Sequence, residues 1–86
     1  MEDSEAKIEN DANQQTEKLI SLIEQDAHTK SLTVAVMALR DLAEGRIDSA
    51  LLRLKVDLDK IVHTNRELSS YVLELLDKRN LWGKGI

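Results

Sequence analysis

Apolar residues first recur at helical spacing at Leu19, Ile20, Ile23 and Ala27. Placed on a 3.6-residue period, they predict a helix over roughly residues 15–28. The stretch "AHTKSLT" then weakens the pattern, because Thr29, Ser31 and Thr33 favour caps and turns over helix interiors. Ser31 is a candidate cap for a new helix; the alternative is that the first helix continues with a bend near residue 30. A second stripe follows, made of Leu32, Ala35, Val36, Leu39 and Leu42. Gly45 comes just after it and suits the left-handed position that ends a helix. Asp48 is a candidate cap for the next element, with Ile47 as its hydrophobic staple.

From Ile47 the pattern is long. Ile47, Leu51, Leu54, Leu58, Ile61, Asn65, Leu68, Val72 and Leu75 alternate at spacings of four and three. This is the heptad rule, and Asn65 is its one polar member. The spacing predicts a helix that runs through "KIVHTNREL", with Asn65 as a buried residue that sets register. A rival reading places a break here: "TNRE" fits a capping box, with Thr64 as the cap and Glu67 reaching back. The preserved phase favours continuity. Leu52, Val62, Tyr71 and Leu76 widen the apolar face beyond a two-stranded seam, which suits a helical bundle.

These elements predict an all-α fold, an antiparallel helical hairpin with a long C-terminal helix. One arm covers residues 15–44, and the other starts at about residue 48 and ends at about 79. A single hairpin leaves much of its apolar stripe uncovered, so dimerisation into a bundle is expected. Leu54, Leu58, Ile61, Leu68, Val72 and Leu75 would form the central seam, with Asn65 paired across it. Residues 1–13 read as an acidic N-terminal tail, disordered or a loosely held helix. Residues 14–80 read as one helical domain, and 81–86 as a short apolar tail.

The stretch 31–58 resembles a single tetratricopeptide-type helix–turn–helix motif. Val34, Met37 and Ala38 match on its first helix, Gly45 and Ile47 at the turn, and Ala50, Leu51, Leu54 and Leu58 on its second. "EGRIDSAL" looks like the family's turn segment, in which a small Ala follows the Gly by five residues. The resemblance implies protein or peptide binding without catalysis.

Composition narrows the function classes. The 86 residues include no Pro, no Cys and no Phe, with one Trp and one Tyr. The lack of Cys excludes a disulfide framework and a thiolate zinc site. A net charge of −4 disfavours an electrostatic grip on nucleic acid. The polar, acidic opening "MEDSEAKIENDANQQ" does not read as a targeting segment, and no apolar run is long enough to span a bilayer. A cytoplasmic protein with neither a membrane nor a nucleic-acid partner is expected.

No phosphate-binding loop, nucleophile elbow or metalloprotease motif occurs. Glu24 and His28 are four apart, as are His63 and Glu67. If both arms were unbroken, these four side chains would lie near one another and could converge on a divalent metal. On exposed faces they would be two ordinary Glu–His pairs. Trp82 is either a cover for the end of the bundle or an anchor for a partner's pocket. Met37 reads as core filler. The expected function is a small helical protein–protein interaction module (adaptor, inhibitor or immunity-type protein, or regulatory subunit), without catalysis or cofactor. Its expected partners are a second copy of itself and an unidentified protein. The alternatives are a metal-binding or pH-responsive bundle built on Glu24, His28, His63 and Glu67, and an acidic nucleic-acid mimic.

Overall fold

The computed structural model describes the backbone of residues 4–83 and the side chains of residues 13–83. The chain is all-helical among the described residues, with six helices where two arms were expected. They are α1 (Ser4–Glu24), α2 (Ala27–Lys30), α3 (Thr33–Ala43), α4 (Ile47–Val56), α5 (Leu58–Thr64) and α6 (Arg66–Lys78). Helix α1 therefore begins within the stretch expected as a tail. Residues 1–3, the side chains of 4–12, and residues 84–86 of the expected apolar tail lie outside the described residues.

Short polar side chains set the first breaks. Asp26, in an extended conformation, caps α2 by accepting the His28 N–H on Oδ1 at 2.9 Å. This cap halts α1 at Glu24, earlier than the apolar stripe suggests. Ser31 ends α2 instead of opening α3: its hydroxyl donates to the His28 carbonyl at 2.7 Å. Helix α3 starts after Leu32 without a side-chain cap.

The α3–α4 turn follows the sequence closely. Gly45 has φ +80°. The Gly45 N–H donates to the Leu42 carbonyl at 3.1 Å, and the Arg46 N–H to the Asp41 carbonyl at 2.8 Å. These two bonds form a Schellman motif, which satisfies carbonyls that a helix end otherwise leaves bare. Ala38 and Ala50 are fully buried, so small side chains let α3 and α4 pack closely. Asp48 does not cap α4; it lies in the first turn, where a carboxylate complements the helix dipole. A Cβ at Gly45 would meet nothing within 4 Å. Gly45→Ala should therefore cost only its backbone strain, about 1–2 kcal/mol, read as a lower midpoint in urea with an unchanged m-value.

The same motif closes α6, through a residue that sequence pattern did not single out. Asn80 takes φ +59°. The Leu81 N–H reaches the Leu76 carbonyl at 2.8 Å, and the Asn80 N–H reaches Asp77 at 3.1 Å. This turn tucks Leu81 into the core, at 3% exposure.

The long C-terminal helix is replaced by α4, α5 and α6. A continuous helix over residues 47–78 would be about 48 Å long, whereas the structure extends 41 Å along its longest principal axis. The Arg79 Nε also donates to Asp48 Oδ1 at 2.6 Å. In one straight helix those residues would stand about 46 Å apart, so the chain reverses between them. The reversal covers the ridge from within. Leu54, Ile61, Leu68 and Val72 are fully buried and Leu75 is 1% exposed, together with Leu19, Ile23 and Leu51. Leu58 is partly buried against this core. No second copy is needed to shield these side chains, which removes the reason for expecting a dimer through this seam.

Candidate functional site

Glu24, His28, His63 and Glu67 are all exposed, and no group of three or more His, Cys, Asp or Glu among the described residues is arranged to hold a metal. The reason is local. Each Glu–His pair straddles a helix break, the first at residues 25–26 and the second at Asn65. The i,i+4 relation that would place both members on one face exists in neither pair.

Asn65 sits at the second break in a non-helical conformation, φ −147° and ψ 87°. Its Oδ1 accepts the Leu68 N–H at 3.0 Å, which makes it the N-cap of α6. Its Nδ2 donates to the Leu22 carbonyl at 2.9 Å and to Thr29 Oγ1 at 3.2 Å. One amide thus joins the end of α1, the middle of α2 and the start of α6. Thr29 is completely buried, and Asn65 satisfies its hydroxyl. The residue singled out for register across a dimer instead ties three helices of one chain. Thr64, the alternative cap, donates its hydroxyl back to the Lys60 carbonyl at 3.1 Å.

A second polar cluster joins α3 to α4. The Asp41 side chain is 3% exposed. Its Oδ2 accepts from Arg53 Nε at 2.6 Å and from Ser49 Oγ at 2.9 Å, and its Oδ1 from Arg46 Nη2 at 3.4 Å. The Arg53 hydrogen bond holds the Asp41 carboxyl below the ordinary 3.8; burial opposes this, and the Ser49 and Arg46 bonds assist it. Asp41 follows the buried Ala38 by three positions and lies off the stripe expected from the sequence. Arg46 also pairs with Glu44 at the surface.

Trp82 stands at the opposite end of the polarity scale. It is 47% exposed, so it does not close the bundle end; Leu81 does that. Lys55 lies 5.4 Å from the Trp82 ring centroid, and its Nζ donates to the Trp82 carbonyl at 3.1 Å. Val56, the next residue, is 58% exposed. The Lys55 contacts thus tie the exposed indole to the last turn of α4.

The polar clusters consist of groups that satisfy one another, and no buried side-chain polar atom among the described residues lacks a partner. No described helix is long and apolar enough to cross a membrane. The chain matches no family model, no curated protein and no solved structure.

Proposed function

We propose that the chain is a small helical protein–protein interaction module, an adaptor, inhibitor or regulatory subunit, that acts by binding and not by catalysis. The observation that carries this reading is Trp82. A lone indole is 47% exposed in a chain whose other aromatic, Tyr71, is only partly exposed. Lys55 holds its position from α4. Trp is the side chain most enriched among residues that dominate binding energy, and an anchor fixed beforehand loses less entropy on docking. The two polar ties support the same reading, since they stiffen the scaffold that presents the indole.

The test uses the full chain as bait. A partner captured by the wild-type protein should bind Trp82→Ala at least about 30-fold more weakly, with the thermal midpoint nearly unchanged. Trp82 is the chain's one tryptophan, so its emission reports docking directly. An emission spectrum that does not move on adding the captured partner, or equal affinity for Trp82→Ala, would remove the indole as anchor.

A further inference from the structure

Met37, expected as core filler, is 41% exposed on α3. Its neighbour Val36 is 53% exposed. The Met37 sulfur is not surrounded by apolar side chains alone: Arg53 Nη1 lies 4.0 Å from Sδ, oriented as a donor. The same guanidinium binds Asp41 through Nε at 2.6 Å. Met37 and Asp41 are four residues apart on α3, so Arg53 spans one helical turn with its two nitrogens.

We propose that Met37 is an oxidation site whose sulfoxide oxygen is received by Arg53, so that this face of α3 turns polar while the α3–α4 pair stays closed. The oxidant is a peroxide. Its O–O bond breaks, one oxygen bonds to sulfur, sulfur gives up an electron pair, and hydrogen peroxide leaves as water with no net proton change. A thioether is a weak acceptor. A sulfoxide is polar, and its oxygen accepts hydrogen bonds strongly. That oxygen projects from a sulfur already facing Nη1. Donation to it comes from a nitrogen that Asp41 does not occupy, so the Asp41–Arg53 bond need not break. Oxidation of a methionine in a core normally disrupts packing; here the product has a cationic donor waiting and solvent on its other side. The consequence is a reversible change of surface chemistry, from apolar to polar, at Met37 beside Val36. The inference stands apart from the role given to Trp82, which lies in the turn after α6.

The full-length protein is treated with hydrogen peroxide, and the added oxygen is located by peptide mass mapping. Met37 should be converted while the fold is intact. The thermal midpoint of the wild-type sulfoxide should stay within about 2 °C of the untreated protein. In Arg53→Lys, which keeps a charge for Asp41 but lacks the second nitrogen, oxidation should lower the midpoint by about 5 °C or more. Met37→Leu should show no such response to peroxide. Should Arg53→Lys fold poorly, the wild-type protein alone decides. The Arg53 guanidinium proton resonances should shift and exchange more slowly with water after oxidation. Failure of Met37 to oxidise in the folded protein, an equal loss of stability in both proteins, or unmoved Arg53 resonances would each overturn the proposal.

Discussion

Asn65→Leu is expected to lower the thermal midpoint by about 10–20 °C, although the substitution places an apolar residue in an apolar sequence pattern. The loss has two sources. The Leu68 N–H at the start of α6 loses its cap, which costs about 1 kcal/mol. The Leu22 carbonyl and the buried Thr29 hydroxyl lose their donor, which costs about 1–3 kcal/mol more. Any gain from burying leucine does not replace a donor. Asn65→Ser separates the two contributions, because its hydroxyl keeps an acceptor for the Leu68 N–H and is too short to replace the donor to Leu22 and Thr29. It should lie between the wild-type protein and Asn65→Leu. Calorimetry on the three proteins, with molecular mass measured by light scattering, is the check. A raised midpoint together with a doubled mass would put Asn65 on an exposed seam between two chains.

The opposite outcome follows from the heptad pattern alone, and the contrast shows what sequence could and could not reveal. Ile47, Leu51, Leu54, Ile61, Leu68, Val72 and Leu75 do form one buried set, with Leu58 packed against it. Their spacing is compatible with a straight helix against a second chain and with three short helices folded upon one chain. The choice rests on contacts from far away, above all between Asn65 and residues 22 and 29, and those are invisible to a window of neighbouring residues. Local signals were legible where one residue type answers one backbone need. Gly45 at φ +80° is the clear case. Asn80 at φ +59° performs the same task with a residue that is only a secondary choice there. The break at Asp57 carries neither Gly nor Pro and no side-chain cap bond, so the residue type of Asp57 is the one local hint of it.

The candidate sites divide along the same line. The Glu–His quartet required two uninterrupted helices, and it dissolved when each pair proved to span a break. Trp82 was legible as a question with two answers, and at 47% exposure it does not act as the cover. Asp41 escapes the pattern because it falls off the expected stripe of Leu32, Ala35, Val36, Leu39 and Leu42, where a carboxylate reads as one exposed charge. Only the three-dimensional approach of Ser49 and Arg53 explains how it is buried.

Arg53→Ala is expected to be the other severe substitution, and its pH dependence identifies the cause. Removing one partner of a buried ion pair costs about 3–5 kcal/mol. Arg53 is itself 38% exposed, and Ser49 and Arg46 still reach the carboxylate, so about 2–3 kcal/mol is expected here. In the wild-type protein the Asp41 carboxyl titrates below its ordinary 3.8. The stability it contributes is therefore complete above that value and is lost as the pH falls through the lower folded-state value. Without Arg53 the largest influence lowering the pKa disappears while burial remains, so the carboxyl titrates higher and protonation ceases to be costly. The gap in stability between wild type and Arg53→Ala should accordingly be wide at about pH 7 and narrow at about pH 3. Asp41→Asn should lose less than Arg53→Ala, since the guanidinium it leaves unpaired can turn to solvent. Urea titrations at the two pH values measure both differences. A gap of the same width at each pH would mean that Arg53 stabilises the α3–α4 pair through the packing of its stem and not through its charge.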